Sequence, residues 1–114
     1  MRRKKFKDRI EYYNDDGELH RLDGPAVIYD YGTKYWFKNG KLHRLGNLPA
    51  IEYDNGDKEY YVNGNLHRED GYAIDHIDGT KEYSLNGKFF IDKQEYEKEL
   101  IKIKLERLKN NYGN

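Results

Sequence analysis

The chain lacks several residue types on which small proteins often rely for stability or chemistry. Its 114 residues include no cysteine, so neither a disulfide framework nor a cysteine-ligated metal is available. Ser84 is the only serine and lies outside any nucleophile motif. Apolar runs are far too short for a membrane span or for the core of a secretion signal. These absences lead us to expect a soluble, cytoplasmic protein that is not an enzyme and needs no cofactor.

Net charge is also missing, because 21 basic residues balance 21 acidic ones, but the charges are unevenly placed. Residues 1–9 hold six basic side chains and one acidic, so the remainder of the chain is acidic. A basic arm on an acidic body can contact nucleic-acid phosphates or an anionic surface. The alternative is a terminus that is solubilising or partly frayed. The arm residues proposed for such contacts are Arg2, Arg3, Lys4 and Lys5.

Aromatic residues, in contrast, are plentiful, with 12 tyrosines and an aromatic content of 15%. Disordered charged chains have few aromatics, so this composition indicates an ordered domain with a thin apolar layer.

The chain is also internally repetitive. The tripeptide Leu-His-Arg occurs at 19–21, 42–44 and 66–68. The copies follow Gly17, Gly40 and Gly64, and Gly87 begins a fourth, altered unit, so the intervals are 23, 24 and 23 residues. A fixed period of this size predicts a repeat array in which each unit stacks on its neighbours.

Each unit contains two turn signals separated by short runs rich in tyrosine, valine, isoleucine and phenylalanine. The dipeptides Asn-Gly and Asp-Gly accept the positive φ angles of a type I′ hairpin turn. The runs between the turns are too short for helices and are bounded by glycine. The sequence therefore predicts a mainly β fold, an antiparallel meander or solenoid of hairpin repeats of about 23 residues, extending over residues 10–91.

A two-residue turn fixes the register of a hairpin, so the residues that face one another can be predicted. With Asn39-Gly40 at the tip, Trp36 faces His43 and Tyr35 faces Arg44. The same rule predicts the pairs Tyr13–His20, Tyr60–His67, Tyr83–Phe90 and Glu59–Arg68.

Each histidine is thus predicted to lie beside an aromatic ring, and the fourth unit has phenylalanine in its place. Equivalent positions two strands apart are separated by about 10 Å. Nitrogens that share one zinc ion stand within roughly 4 Å of one another. We therefore expect structural histidines and no metal site.

Two assignments of the core face are open. Leucines and one phenylalanine form a column that is our preferred core side, with the aromatic–histidine face as the alternative. The residues of this column are Leu19, Leu42, Leu66 and Phe89.

The segment 92–110 has no glycine or proline and is rich in helix-forming residues. Asp92 with Glu95 three residues later resembles a capping box and predicts a helix start. The helix has two apolar edges, of which one is expected to pack on the sheet and the other to serve a dimer or a partner. We therefore predict one domain, 1–114, as a monomer or as a homodimer through this helix, with a basic arm at 1–9.

The unit DG-x-K-x-Y-x-x-NG-x-LHR-x-DG-PA resembles the MORN-like repeats of small phage and large-virus proteins. The resemblance covers roughly residues 9–100. It implies antiparallel hairpin solenoids that serve as scaffolds, membrane-apposed plates or protein-binding modules and not as catalysts.

From this resemblance and the residue content, we expect a non-enzymatic protein-binding module of phage or mobile-element origin. It would inhibit a host defence effector, such as a protein or ribonucleoprotein of a CRISPR system. Tyrosine, tryptophan and arginine anchor interfaces, and they are the candidate binding residues here. These residues are Arg21, Tyr35, Trp36, Arg44, Tyr61 and Arg68. Two alternatives are capture of a nucleotide or RNA, as a sponge or guide-blocking factor, and a structural or membrane-apposed scaffold.

Overall fold

The structure is a computed structural model that describes residues 2–112. These residues form thirteen strands and one helix. The strands are β1 (Arg2–Lys5), β2 (Arg9–Tyr13), β3 (Val27–Tyr29), β4 (Lys34–Tyr35), β5 (Phe37–Lys38), β6 (Lys41–Leu42), β7 (Ile51–Glu52), β8 (Lys58–Glu59), β9 (Tyr61–Val62), β10 (Asn65–Leu66), β11 (Ile74–Asp75), β12 (Lys81–Leu85) and β13 (Lys88–Phe90). The helix is α1 (Lys93–Tyr112).

Nine strands form one open antiparallel meander, in the order β1-β2-β3-β4-β7-β8-β11-β12-β13. The short hairpins β5–β6 and β9–β10 extend from strands β4 and β8 after breaks at Trp36 and Tyr60. The molecule is a plate with extents of 46 × 41 × 17 Å. The predicted mainly β, antiparallel meander with a C-terminal helix is confirmed.

The Asn-Gly turns have the backbone conformation that the sequence predicts. Asn39 and Gly40 have φ angles of 48° and 80°, in the left-handed region that a type I′ turn requires. This turn places Phe37 opposite Leu42, and the backbone N–H of His43 donates to the Trp36 carbonyl at 3.0 Å. The predicted pairs Tyr60–His67 and Tyr83–Phe90 are also present.

The first turn differs from the others by one residue. The backbone N–H of Asn14 donates to the carbonyl of Glu18, so three residues stand between the paired positions. As a result, the N–H of His20 donates to the carbonyl of Tyr12 at 2.9 Å. The predicted pair of His20 with Tyr13 is therefore wrong, because a three-residue loop shifts the register by one.

Helix α1 packs on the last two strands. Its first turn is capped by Asp92, whose Oδ1 accepts the backbone N–H of Glu95 at 2.9 Å. Tyr96 and Leu100 are buried against Leu85 and Phe90.

The core packed by α1 lies on the aromatic–histidine face, so the expectation that the leucine column forms the core is wrong. Val27 and Ile51 are buried on the opposite face, in register with Tyr35. The leucines of that column are only half-buried, and Phe89 is 51% exposed. The helix determines the outcome, because it covers the face that carries Tyr83, Leu85 and Phe90.

The basic arm contributes the outermost strand of the sheet. Strand β1 pairs with β2 along its whole length, from Arg2 opposite Tyr13 to Lys5 opposite Ile10. All four β1 side chains are exposed. Residues 2–5 of the arm are therefore paired in the sheet, with their charges exposed to solvent.

Candidate binding surface

The three histidines of the Leu-His-Arg tripeptides connect each hairpin to the next one. In every case Nδ1 accepts a backbone N–H from the asparagine at the tip of the following hairpin, at 2.9 Å. These bonds join His20 to Asn39, His43 to Asn63, and His67 to Asn86. A ring nitrogen that accepts a hydrogen bond carries no proton, so these contacts require neutral imidazole. The bonds agree with the structural role predicted for the three residues.

Burial favours the same neutral form at His43. Removal of this ring from water, together with the nearby charge of Lys38, lowers the pKa of His43 below its ordinary value. A protonated ring would also present an N–H to the Asn63 N–H that it now accepts.

The three arginines that follow these histidines stack on aromatic rings. The distances from the guanidinium carbon to the ring centroid are 4.0 Å for Arg21 over Tyr12, 3.7 Å for Arg44 over Trp36, and 3.9 Å for Arg68 over Tyr60. Each arginine also donates from Nη1 to a backbone carbonyl 4 or 5 residues later. Cation–π stacking combined with a hydrogen bond holds each guanidinium in one orientation.

The predicted pairs Tyr35–Arg44 and Glu59–Arg68 do not form. The backbone N–H of Arg44 donates to the carbonyl of Tyr61, in the next unit, at 3.1 Å, and the N–H of Arg68 likewise donates to Ser84 at 3.1 Å. The chain therefore leaves its own hairpin immediately after each histidine. The arginine side chain then lies over the aromatic residue that faces the histidine, one position beyond the predicted partner.

The six candidate binding residues lie on two different faces of the plate. Trp36 and the three arginines share the face that α1 covers in part. Tyr35 and Tyr61 point to the other side, where Tyr35 contacts Phe37 and Tyr53 edge to face, at centroid distances of 6.3 and 6.5 Å.

That second face is rich in tyrosine and glutamate. Tyr61 donates from its hydroxyl to Glu59 at 3.2 Å, and burial is the main cause that raises the pKa of Tyr53 and of Tyr61 to about 12. These phenols therefore remain neutral donors at physiological pH.

A groove of about 460 Å³ lies on the helix side of the plate. It separates the second half of α1 from the loop that follows Arg44. Residues on its walls include Arg44, Leu45, Leu48, Arg68, Ile103 and Arg107. Leu45 and Leu48 are 65% and 46% exposed. The sequence predicted only the two arginines of the sheet for this site, because the groove exists only once the helix is placed.

One end of the groove is closed by an ion pair between the helix and the sheet. Arg107 donates to both carboxylate oxygens of Glu69, at 3.1 and 2.8 Å. The Arg107 hydrogen bonds, assisted by a contact of Glu69 with His67 Nε2 at 2.7 Å, lower the pKa of Glu69 to about 2. The wall is thus polar but internally paired, while the leucine rim is open to solvent.

The exposed cations of strand β1 form a second candidate surface at the sheet edge. Within residues 2–112, none of its four basic side chains has a carboxylate within 4.0 Å. Arg9 at the start of β2 differs, because it contacts both Asp8 and Glu11 at 2.8 and 2.6 Å.

Two negative findings apply to the described part of the chain. No three histidine, aspartate or glutamate side chains stand close enough together there to hold a metal ion. No helix in residues 2–112 is both long and apolar enough to cross a membrane.

Comparison of the chain with protein-family models, curated proteins and solved structures found no match.

Proposed function

We propose that this chain is a non-enzymatic repeat protein that binds a protein partner in the groove between α1 and the sheet. The observation that carries the proposal is the combination of two exposed leucines at the groove rim with arginines already fixed by stacking. Interfaces gain affinity from apolar and arginine anchors, and side chains that are ordered before binding lose less entropy on association.

Recurring contacts support the repeat character. Histidine-to-asparagine bonds and arginine-on-aromatic stacks occur once in each of three consecutive units. An array of this kind contacts only its neighbours and offers a preorganised surface. The same contacts support a non-enzymatic role, because they use the histidines and arginines that would otherwise be candidates for chemistry.

The proposal is tested by affinity capture from a bacterial lysate with three versions of the chain. Leu45→Glu places a charge on the groove rim, where an apolar partner residue would lie. Leu22→Glu is the matched control, because Leu22 holds the same repeat position, is 79% exposed and is not among the groove residues. A stoichiometric protein recovered by the wild type and the control, but not by Leu45→Glu, is expected. Equal recovery by all three versions would contradict the groove as the binding site.

We further propose, from the resemblance to phage repeat proteins, that the partner is a host defence effector. Expression of the chain in cells with active CRISPR interference is then expected to restore phage plating. Leu45→Glu should remove this effect and Leu22→Glu should not. Unchanged plating with the wild type would contradict this narrower proposal and leave the groove test unaffected.

A second candidate function, nucleic-acid binding, is favoured by strand β1. Its four exposed cations could neutralise phosphates, which supply most of the affinity in such complexes. We expect binding of single-stranded RNA that weakens steeply as salt is raised and that is lost when Arg3 and Lys5 are both changed to glutamate. Salt-independent binding would contradict this function.

A further inference from the structure

Helix α1 has a second apolar stripe that does not contact the sheet. Its buried side is formed by Tyr96, Leu100 and the partly buried Ile103. At 100° per residue, the second stripe lies roughly 150° around the helix from these residues. Four side chains form it, with exposed fractions between 52% and 84%: Ile101, Leu105, Leu108 and Tyr112. Such an aligned set of exposed large apolar side chains marks an interaction surface.

The spacing of this stripe indicates what kind of surface would cover it. Its members follow one another at intervals of four, three and four residues. Alternation of four and three is the heptad pattern of a coiled-coil seam, in which the apolar strip is narrow and faces a single partner helix. Helices that lie in a membrane surface instead present a wide apolar face. The stripe of α1 therefore fits one helix better than a lipid surface.

Lysines stand on both sides of the stripe. One flank carries Lys98, Lys102 and Lys109, and the other carries Lys93 and Lys104. Of the glutamates, Glu97 lies beside the second flank and contacts Lys93 at 3.8 Å. The remaining three occupy the sector between the first flank and the buried side: Glu95, Glu99 and Glu106. Arg107 is held by Glu69 on the sheet side. The stripe itself is thus bordered mainly by positive charge.

This charge distribution opposes a symmetric dimer through α1. A two-fold axis that makes the helices antiparallel brings each flank against its own copy, so Lys102 and Lys109 would face lysines. A parallel dimer sets Lys102 and Lys109 against the flank that carries Lys104. Like charges beside a coiled-coil seam destabilise it, whereas opposite charges there select the partner.

We propose that the exposed stripe of α1 binds an acidic amphipathic helix of a partner protein, with apolar residues at heptad spacing and glutamate or aspartate on both flanks. The seam supplies the apolar contact, and the lysines supply charge complementarity. This surface is separate from the groove, so it does not depend on the proposed function.

The test uses the full chain and two synthetic 21-residue peptides with leucine at every seam position. One peptide has glutamate at the flanking positions and the other has lysine, and binding is followed by fluorescence anisotropy. We expect the glutamate peptide to bind with a dissociation constant on the order of micromolar and the lysine peptide to bind at least about tenfold more weakly. Equal affinities, or no binding of the glutamate peptide at about 100 µM, would overturn the proposal.

Variants assign the binding to the stripe. Leu105→Glu should weaken binding of the glutamate peptide about tenfold or more, because Leu105 is 60% exposed and can change without disturbing the core. Ile77→Glu, on an exposed turn of the sheet, is the matched control. Exchange of Lys102, Lys104 and Lys109 for glutamate changes both flanks and should reverse the preference between the two peptides. Failure of that reversal would overturn the charge argument even if Leu105→Glu lost binding for another reason.

Two further measurements test whether the stripe is covered instead by a second copy of the chain or by a membrane. Light scattering that shows a wild-type dimer, abolished by Leu105→Glu, would assign the stripe to a second copy of the chain. Sedimentation with vesicles of phosphatidylserine and phosphatidylcholine, abolished by the same variant, would assign it to an anionic membrane. Either result would overturn the proposal of an acidic helix.

Discussion

A neutral imidazole fastens each hairpin to the next one, and a guanidinium fixes the segment after each histidine onto its own hairpin. The histidine accepts a hydrogen bond from the next turn, a contact that contributes about 1 kcal/mol net. The arginine stacks on an aromatic ring, which contributes about 0.5–2 kcal/mol depending on how far it is desolvated. Each contact is modest, but both types recur, so stability accumulates along the sheet.

At His43 this arrangement predicts a specific pH dependence. Because the pKa of His43 is lowered in the folded protein, its contribution is complete above the unfolded value of about 6.5 and is lost as the pH falls below it. His43→Phe keeps a ring but leaves the Asn63 N–H without its acceptor, at a cost of about 1 kcal/mol at pH 7.5. Urea denaturation should show that this deficit narrows between pH 6.5 and pH 5. A constant deficit across that range would contradict the neutral-acceptor role.

Turn geometry predicts the pairing partners within each hairpin that has a two-residue turn, but it fails for the residues just outside the hairpin. Turn chemistry correctly placed Trp36 opposite His43, because the Asn39-Gly40 turn fixes those pairs by itself. It misplaced Arg44, since the chain turns towards the next unit there and the side chain finds its partner through tertiary contacts. It also missed the longer first turn, where Asn14 bonds across to Glu18.

At the scale of whole elements, α1 decides which side of the last two strands is packed as core. The composition of the two faces left both choices open, and only the docking of the helix on Leu85 and Phe90 resolves it. The helix start could be predicted from the sequence, because Asp92 and Glu95 are three residues apart, the spacing that their 2.9 Å capping hydrogen bond requires. The Arg107–Glu69 pair could not be predicted, because its partners are 38 residues apart and meet only in the tertiary structure.

The attachment of the second half of α1 should depend on pH through Glu69. The pKa of Glu69 is about 2 in the folded protein and about 4.3 in an unfolded chain. The stabilisation it supplies is therefore present above pH 5 and lost progressively as the pH falls towards 2. Since Arg107 is 54% exposed, the pair contributes no more than about 1 kcal/mol.

Arg107→Met should remove most of this dependence. The variant is expected to be less stable than the wild type by up to about 1 kcal/mol at pH 7 and nearly equal to it at pH 2.5, as measured by urea denaturation. Lys104→Met, a cation-to-methionine change on the same helix, should follow the wild-type curve. A wild-type pH profile in Arg107→Met would show that another group holds Glu69 ionised.

Considered as a whole, the molecule is an open plate, and an open sheet has edge strands with unsatisfied backbone groups. The antiparallel meander order follows from the spacing of turn signals along the chain, but the breaks at Trp36 and Tyr60 that divide the strands do not. The turn signals do not predict strand β1. Its sequence, Arg-Arg-Lys-Lys, has no alternation of polar and apolar residues, and it becomes a strand because it pairs with the neighbouring β2. Its charges are nevertheless suited to an edge, where lysine and arginine discourage pairing with another sheet.

The pairing of β1 with β2 shows which β1 residues have backbone groups that face outward at the edge of the sheet. Tyr12, opposite Arg3, directs its N–H and carbonyl away from β1, to Ala26 and His20. Arg3 and, two residues on, Lys5 therefore direct their own backbone groups outward.

Replacing both Arg3 and Lys5 by threonine keeps strand propensity and removes the repulsion between edges, so we expect association that grows with protein concentration. Size-exclusion chromatography with light scattering should show the mean mass rising above that of the wild type. The matched control changes Lys34 and Lys58 to threonine, since both are exposed but lie in strands paired on both sides. Association in both double variants would mean that lost surface charge, and not an unguarded edge, is responsible, whereas association in neither would mean that β1 needs no charge to stay unpaired.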